Sequence, residues 1–413
     1  MKKYFILAAA ALTVLAACTK IETVESTVET PISFSVINHL QQTKATAGLE
    51  YPVGVPFGTF AWWTSGDWTG IAADQTYVFM NNEQIIHSNA TDTEVAKWAP
   101  NTTYYWTKTG KITFASYSPY TTGDNTATDG FSGVPEYNVN KGFLFNNYTI
   151  VDNTNVDLMY ANLAANCSKD YNSDGTLVTD DQLTNTTDHG YKGVPTIFNH
   201  ALCQINFAFR AIGRKNPNVD RIVIDVTDVD IKNIDNKGSF TQTPATTTPA
   251  TPSWASDHTS VADYDFAPSS TLSLEMIDGT VEANVLATDN YTALGKSRIL
   301  LPQALLTTLD ANNKPVNVAT TTDQVLVVAY TIKLHYTSVP STITETDEGY
   351  WATESVTSTV RLNNGTITEW KENQNITYRI SINPYATQTV TFDPAVVAWA
   401  DVYSSDVNLN END

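Results

Sequence analysis

The residue types that are rare in the sequence already exclude several classes of function. The chain has 3 Cys in 413 residues, too few for a disulfide scaffold, and no two have the C-x-x-C spacing of a metal site. We expect Cys167 and Cys203 to be buried thiols, and a disulfide between them is the alternative for an exported protein. Only 23 basic residues face 44 acidic ones, a net charge of -21, and no arginine precedes Arg210. Such a surface repels phosphate backbones, which excludes nucleic acid as a partner.

Catalytic signatures are missing as well. The 6 His are scattered, and the sequence contains no H-E-x-x-H, G-x-S-x-G, P-loop or G-x-G-x-x-G motif. For His200, which precedes a strand, we expect a capping or packing role. The carboxylates offer no basis for choosing a glycosidase pair. We therefore expect no enzyme activity.

The N-terminus has the pattern of an export signal. Lys2 and Lys3 precede an apolar run, Tyr4–Ala17, which is shorter than the ~20 residues that span a bilayer. We therefore expect a cleaved signal peptide over 1–17. The small residues that end at Cys18 (LAAC) resemble a bacterial lipobox, in which the cysteine is diacylated and becomes the mature N-terminus. An ordinary signal peptide without lipid is the alternative.

Alternation of apolar and polar residues predicts the fold class. Every second residue is apolar in 203–209, 324–336 and 376–382, the period of a half-buried strand. In another strand the apolar phase changes near Thr227-Asp228, which predicts a bulge. We expect an all-β protein of two packed-sheet domains, divided near Val194-Pro195.

Turns and loops are predicted between these strands. Thr107–Lys111 and Asp235–Gly238 have the composition of hairpin turns. Thr241–Ser260 is rich in Pro and Thr, which predicts an extended surface loop. Short helical patterns are confined to Tyr77–Ile86 and Thr271–Ile277.

Several landmarks follow one another along nearly the whole chain. They are Lys44-Ala45, Phe57–Trp63 (FGTFAWW), Tyr104–Trp106, Gly110–Pro119 (GKITFASYSP), Asp157–Ala161 (DLMYA), Phe198–Phe209 (FNHALCQINFAF), Tyr378–Pro384 and Thr391–Val402 (TFDPAVVAWADV). Together with the lipobox, their order and spacing resemble the fimbrillin family, the pilins of type V pili.

The resemblance implies an architecture and a life cycle. A signal peptide (1–17) and a lipidated pro-segment (18–44) would precede two transthyretin-like Greek-key β-sandwich domains in tandem, over 45–195 and 196–413. The precursor would be anchored in the cell outer membrane by lipid on Cys18 and then enter an extracellular pilus. In such pilins a protease removes the first strand, and a strand of the neighbouring subunit fills the groove, which links pilin subunits head to tail. A host or glycan receptor is a further expected partner.

The resemblance assigns roles to both ends of the chain. Ile32–Ile37 is the candidate outgoing strand, and Lys44 and Ala45 flank the candidate cut. The candidate donor-strand residues are Val390, Phe392, Val396, Val397 and Trp399. Alternatively, both segments are ordinary terminal strands of a complete sandwich.

Maturation is the point at which the sequence departs from the family. Fimbrillin maturation is commonly arginine-specific, but the first arginine here is Arg210. Either another protease cuts near Lys44, or the pro-segment is retained and the protein stays lipid-anchored as the base subunit of a pilus.

An acidic loop matches the spacing of a calcium-binding loop. The predicted oxygen ligands are Asp170, Asn172, Asp174, the Thr176 carbonyl and Asp181. Asp stands where such loops usually have Glu, and neither flank has a helical pattern. A polar turn without metal is therefore the alternative, and we expect no other cofactor.

Aromatic residues cluster near the start of the first domain: Tyr51, Phe57, Trp62, Trp63 and Trp68. Core packing is the favoured interpretation, because aromatic side chains dominate burial energetics. A platform for a sugar ring, with Trp63 or Trp68 exposed, is the alternative. It would make the chain a stand-alone surface lipoprotein that binds glycans.

Overall fold

The structure is a computed structural model. It describes residues 31–38, 51–88, 97–123, 126–151, 156–168, 193–213, 218–243, 251–256, 258–278, 290–306, 323–337, 352–384 and 390–398. Over these residues the protein is all-β, as the sequence predicts. One short α-helix, Thr126–Asp129, and a 3-10 helix, Ala72–Thr76, interrupt the strands.

The strands are numbered in chain order. They are β1 (Phe34–Asn38), β2 (Phe57–Thr64), β3 (Val78–His87), β4 (Trp98–Pro100), β5 (Lys111–Ser118), β6 (Glu136–Asn138), β7 (Gly142–Thr149), β8 (Met159–Ala161), β9 (Ala164–Cys167), β10 (Val194–His200), β11 (Cys203–Gly213), β12 (Val219–Asp235), β13 (Lys237–Thr243), β14 (Thr251–Ala255), β15 (Val261–Asp265), β16 (Leu272–Glu275), β17 (Ile277–Asp278), β18 (Thr292–Leu300), β19 (Gln303–Ala304), β20 (Val325–Tyr336), β21 (Ala352–Arg361), β22 (Glu369–Trp370), β23 (Gln374–Ile382) and β24 (Val390–Ala398).

Eight strands form the N-terminal sheet, in the order β2-β3-β4-β1-β10-β8-β5-β9. The sheet closes on itself because β2 also pairs with β5, from Gly58 opposite Tyr117 to Thr64 opposite Lys111. Because the sheet closes, the strands that form the ring have no free edge. β1 is one strand of that ring, between β4 and β10.

A four-stranded sheet, β14-β13-β7-β6, connects the two halves of the chain and is called the bridging sheet here. It packs on one face of the N-terminal sheet, so β2 is buried on both sides. Phe57 and Ala61 point to the inside of the ring, whereas Phe60 and Trp62 contact the cluster that contains Phe143 of the bridging sheet. Burial on both faces accounts for the nearly continuous apolar sequence of β2.

The C-terminal half is a sandwich of two five-stranded sheets. One sheet has the order β17-β11-β23-β24 with β18 beside β11, and the other has β15-β12-β20-β21 with β16 beside β12. Their inner faces share one core, to which β11 contributes Phe207, β20 contributes Tyr330 and β23 contributes Tyr378. β19 and β22 form a separate two-stranded pair.

The period-two segments fold as predicted. In β23 and in the first part of β20 the apolar residues are buried and most of their neighbours are less so. In β11 the predicted residues Cys203, Ile205, Phe207 and Phe209 are buried, but Gln204 and Ala208 on the other face are buried as well. The register between β12 and β20 shifts between Val226 and Asp228, which confirms the predicted bulge.

Neither predicted hairpin turn joins paired strands. The residues before Thr107–Lys111 form only an isolated bridge between Tyr105 and Pro31. Their loop instead packs on β2, where Trp63 Nε1 donates to the Thr109 carbonyl at 2.8 Å. Asp235–Gly238 is a corner between sheets, because β12 pairs with β15 and β20 whereas β13 pairs with β7.

Two short helical patterns and both ends of the predicted Pro/Thr-rich loop fold as strands. The helical patterns at Tyr77–Ile86 and Thr271–Ile277 belong to strands β3 and β16, since cross-strand pairing overrides short helical periodicity. Within Thr241–Ser260, the end of β13 pairs with β14, whereas residues 244–250 of the predicted loop lie outside the described residues. Trp254 anchors β14, because its ring packs on Phe240 and its Nε1 donates to the Ala201 carbonyl at 2.5 Å.

The chain passes from the N-terminal sheet to the C-terminal sandwich between β10 and β11, at Ala201-Leu202. The expected division at Val194-Pro195 falls at the start of β10. The bridging sheet contains strands from both halves of the chain. The assignment of strands to sheets therefore does not define a single boundary between two domains. The domain limits 45–195 and 196–413 stay a prediction.

Candidate functional site

The candidate site is the position of β1 in the N-terminal sheet. β1 runs parallel to β10, with five residue pairs from Phe34 opposite Val194 to Asn38 opposite Phe198. On its other side β1 pairs with β4 at a single position, Phe34 opposite Trp98. The candidate outgoing strand Ile32–Ile37 therefore overlaps a strand that closes a ring.

Backbone hydrogen bonds hold both sides of this segment. The Ile32 amide donates to the Tyr104 carbonyl at 2.8 Å, and the Val194 amide donates to the Ser33 carbonyl at 2.8 Å. Any strand with the same register can form these hydrogen bonds, because they join backbone atoms and involve no side chain.

Alternate side chains of the segment fill the inside of the ring. Ile32 and Phe34 are buried with 1% and 5% of their surface exposed, and Val36 packs against the same cluster. The Phe34 ring is edge-on to two others, with centroids 5.6 Å from Phe57 and 5.7 Å from Phe114. Burying a side chain of this size stabilises a protein by about 1.5–3 kcal/mol, so this short strand contributes appreciably to the core.

A glycine allows β10 to approach this closely. Gly193 has φ +109°, a region that residues with a Cβ rarely adopt. A Cβ built on Gly193 would lie 3.0 Å from the Phe34 carbonyl carbon and 3.0 Å from the Ser35 nitrogen. Only glycine therefore fits beside the backbone of β1 without displacing it.

Tyr51 holds the chain on the far side of the predicted cut. Its ring stacks on Phe198 at 5.0 Å and contacts Trp98 at 5.1 Å, and its hydroxyl shares a 2.6 Å hydrogen bond with Ser118 Oγ. Burial raises the pKa of this phenol well above its usual range. A cut at Lys44 would leave Tyr51 anchored in the ring while β1 lost its covalent connection to it.

The donor-strand candidates fall on β24. This strand is the last in its sheet and pairs antiparallel with β23, from Val390 opposite Ile382 to Ala398 opposite Gln374. Within the described residues β24 has no second neighbour. Val390, Phe392, Val396 and Val397 thus lie on an edge strand, the position from which exchange with another chain is sterically simplest.

Several predicted site residues lie outside the described residues. They are Cys18, Lys44, Ala45, Asp170, Asn172, Asp174, Thr176, Asp181 and Trp399. The lipidation, cleavage and calcium predictions that rest on them stay predictions.

A different acidic cluster is present in the C-terminal sandwich. Carboxylate oxygens of Asp228, Asp230 and Asp265 lie within 4.8 Å of one another. Desolvation and the neighbouring Asp228 raise the pKa of Asp230. Asp265 accepts from Lys296 Nζ at 3.1 Å, which neutralises part of the cluster.

The aromatic residues near the N-terminus mostly form core, as favoured from the sequence. Tyr51 and Phe57 belong to the inside of the ring, and Trp62 to the cluster against the bridging sheet. Trp63 and Trp68 are half-buried.

The cysteines and His200 have structural roles. Cys167 and Cys203 form no disulfide; both are buried, and the Cys203 thiol donates to the Leu300 carbonyl. His200 is the buried last residue of β10, and its Nδ1 lies 2.8 Å from Asp157 Oδ2. Among the residues that the structure describes, no helix has the length and apolarity to cross a membrane.

The residues that surround β1 were not predicted from the sequence. Gly193 and Trp98 are part of no motif, and the motif Phe198–Phe209 spans β10 and β11, which belong to different sheets. A signal for β10 is nevertheless present in the sequence, because its buried residues alternate from Val194 to His200.

Comparison with known proteins decides the family. The family model described as Fimbrillin-like matches residues 56–399. The chain belongs to the fimbrillin-like family. This family comprises fimbrial structural and adhesion proteins of the cell surface and not enzymes, which confirms the expectation of no enzyme activity. No curated protein sequence matches the chain.

The chain is also similar to solved structures from Bacteroides and Parabacteroides. A fimbrial protein from Bacteroides vulgatus is 19% identical, with a TM-score of 0.50, and the alignment covers 90% of this chain and 99% of that one. A candidate cell adhesion protein from Parabacteroides distasonis is 12% identical, with a TM-score of 0.41 and coverage of 90% and 100%. At 19% identity the similarity to the Bacteroides vulgatus protein concerns the fold alone.

Proposed function

We propose that this fimbrillin-like protein is a structural subunit of a type V pilus, exported as a lipoprotein and polymerised by donor-strand exchange. Its two halves would act as tandem transthyretin-like Greek-key sandwiches over 45–195 and 196–413. The observation that carries the proposal is the position of β1. It closes the N-terminal sheet, yet it is joined to the rest of the chain only through the segment that contains Lys44-Ala45.

Loss of β1 would leave an unpaired strand edge and an apolar groove in the N-terminal sheet. The Val194 amide would lose its acceptor, and Phe57 and Phe114 would lose their contact with Phe34. An unpaired strand edge beside an apolar slot is satisfied by one added strand, because the strand supplies both hydrogen bonds and buried side chains. Such an addition is head to tail, so it extends into a filament.

β24 offers a matching donor. Val390 and Phe392 repeat the apolar-x-Phe spacing of Ile32 and Phe34, and β24 is an edge strand. A strand with Phe392 in the position of Phe34 would place an aromatic ring between Phe57 and Phe114. Trp399, beyond the described residues, extends this apolar segment.

The N-terminal residues would determine whether the subunit stays at the membrane or enters the pilus. Lipid on Cys18 would hold the precursor in the outer membrane until a protease cuts after Lys44. If Lys44 is not cut, β1 stays in place and the chain serves as the lipid-anchored base of the pilus. The absence of arginine before Arg210 means that an arginine-specific protease has no site in the pro-segment.

The test uses the full mature chain with Cys18→Ser and a site-specific protease sequence inserted between Lys44 and Ala45. We expect the folded chain to remain monomeric until it is cut and then to form SDS-resistant ladders. Phe392→Asp should abolish the ladders, whereas Thr391→Asp on the same strand should not. Cut chain that keeps its near-ultraviolet circular dichroism but stays monomeric contradicts the proposal.

A glycan-binding surface lipoprotein is the second candidate, favoured by an aromatic pair of which one ring, Tyr77, is exposed and the other, Trp63, is half-buried. Tyr77 is 62% exposed, and its ring is edge-on to Trp63 with centroids 5.6 Å apart. An exposed ring beside an indole is able to stack on a sugar. Retardation of the chain in polysaccharide affinity gels, lost in Tyr77→Ala, would favour this function over polymerisation.

A further inference from the structure

The segment that contains β1 bonds to its two neighbours from alternate residues. The Val194 amide donates to the Ser33 carbonyl at 2.8 Å, and Phe34 lies opposite Val194 in the parallel register. In a parallel pair with this phase, every second residue bonds to β10, beginning at Ser33. The amides of Ile32, Phe34 and Val36 therefore point to the other side, toward β4 and the residues that follow it.

Two of these three residues are paired on that side. The Ile32 amide donates to the Tyr104 carbonyl at 2.8 Å, and Phe34 pairs with Trp98 of β4. Over the described residues, the pairing of β1 with β4 ends at Phe34. A replacement strand therefore needs an amide hydrogen at the positions of Ile32 and Phe34. The position of Val36 is where a residue without an amide hydrogen costs least.

The same segment also selects side chains by their phase. Ile32 and Phe34 are buried, whereas Ser33 and Ser35 are half-buried. Because successive side chains point to opposite faces of a sheet, a shift of one residue would turn every apolar side chain of a replacement strand outward. Only shifts by an even number of residues keep the inside of the ring apolar.

β24 has a proline in the same phase as its apolar residues. Pro394 follows Phe392 by two positions and pairs with Tyr378 of β23. Proline has no amide hydrogen, so within a sheet it is confined to positions that need none. Any register that turns Val390 and Phe392 to the inside of the ring therefore places Pro394 at a position whose amide faces β4.

Three such registers conflict with the groove. With Pro394 at the position of Ile32, the hydrogen bond that the Ile32 amide donates is lost. With Pro394 at the position of Phe34, the pairing with β4 loses its amide hydrogen. With Pro394 at the position of Asn38, Gln388 falls on the position of Ile32, which is 1% exposed, and a buried amide without partners is costly.

We propose that Pro394 selects a single register, in which β24 of a second copy replaces β1 with Pro394 at the position of Val36. The two apolar residues before the proline then take the two buried positions, and the polar residues that alternate with them take those of the two serines. This register rests on the proposed function, polymerisation by strand exchange. It makes Pro394 a residue that determines the specificity of the exchange.

The test locates β24 of one copy against β10 of the next by disulfide formation. Both copies carry Cys18→Ser and the inserted protease sequence, and both are cut. The first copy carries Ile197→Cys, which lies opposite Ile37 of β1. The second carries a single new cysteine in β24. Cys167 and Cys203 are buried, and disulfide-linked peptides are identified by mass spectrometry.

The proposed register places Ala395 at the position of Ile37. Ala395→Cys should therefore form about tenfold more disulfide with Ile197→Cys than Asp393→Cys or Val397→Cys does, because a shift of two residues separates the partners by about 7 Å. Ladders whose main disulfide involves Asp393→Cys or Val397→Cys overturn the register and leave the proposed function standing. An absence of ladders in the parent chain overturns both.

A second variant isolates the role of the proline. Pro394→Ala restores an amide hydrogen, so the disulfide with Val397→Cys should rise several-fold while ladders still form. Thr391→Ala, which leaves the proline in place, is the matched control and should keep Ala395→Cys as the main partner. If Pro394→Ala also leaves Ala395→Cys as the main partner, side-chain packing sets the register and the role of Pro394 is refuted.

Discussion

The ring of Phe34 lies edge-on to the ring of Phe57, with their centroids 5.6 Å apart and their planes at 82°. One of these residues belongs to the strand that the proposed maturation removes, and the other to a strand that remains. The contact is therefore part of the core of the precursor and would be absent from the cut chain until another strand replaces it.

Phe34→Ala should destabilise the uncut chain. Removing a buried phenylalanine costs about 3–5 kcal/mol in the free energy of unfolding, and Phe34 packs against two rings, those of Phe57 and Phe114. Denaturation with urea, followed by tryptophan fluorescence, measures the loss. Ser35→Ala on the same strand is the control, with an expected change below about 1 kcal/mol. Equal effects of the two variants would show that β1 is not a core strand.

Gly193→Ala should destabilise the uncut chain by about 1–3 kcal/mol, because the residue has φ +109° and its new methyl would meet the β1 backbone. Gly133→Ala is the matched control, since a Cβ there has no neighbour within 4 Å and φ is not positive. Part of the Gly193→Ala penalty should disappear once β1 is cut and released. An identical penalty with and without β1 would contradict the close approach.

Arg361→Met should cost about 3–5 kcal/mol in the free energy of unfolding, because it leaves a buried carboxylate without its cation. Arg361 Nε lies 2.7 Å from Asp323 Oδ2, and the Asp323 side chain is only 1% exposed. Lys371→Met removes an exposed partner of Glu369 and should cost less than about 1 kcal/mol. Urea midpoints of the two variants provide the comparison.

Asp230→Asn should raise the urea midpoint at pH 7 and have no effect near pH 3. The pKa of Asp230 is raised in the folded state by desolvation and by Asp228, so ionisation above that pKa opposes folding. Below the unfolded pKa both states are protonated and the difference vanishes. Asp265→Asn should act in the opposite direction at pH 7, because the Ala267 amide and Lys296 lower the pKa of Asp265. A lower midpoint for Asp230→Asn at pH 7 would refute this account.

The sequence pattern predicted strands and their buried faces correctly where one face of a strand is buried. The alternation in Gln374–Ile382 places Tyr378 and Ile380 in the core and leaves Arg379 outside, and the changed phase near Thr227-Asp228 marks a bulge. In such strands the period of two is fixed by the core.

Connections between sheets were not predictable from local composition. Asp235–Gly238 has the residues of a hairpin turn but serves as a corner, since β13 pairs with β14 and with β7, which lies far earlier in the chain, and not with β12. The groove likewise depends on long-range contacts, because Phe34 and Val194 are brought together by a parallel pairing that no short pattern encodes.

Hydrogen exchange at β10 tests the central claim most directly. The amides in Val194–Phe198, of which Val194 donates to Ser33 of the outgoing segment, are followed by mass spectrometry in the uncut chain, in the cut monomer and in assembled chains. We predict slow exchange in the uncut chain, fast exchange in the cut monomer after β1 leaves, and slow exchange again after assembly. Amides that stay protected in the cut monomer, with β1 released, would contradict the account.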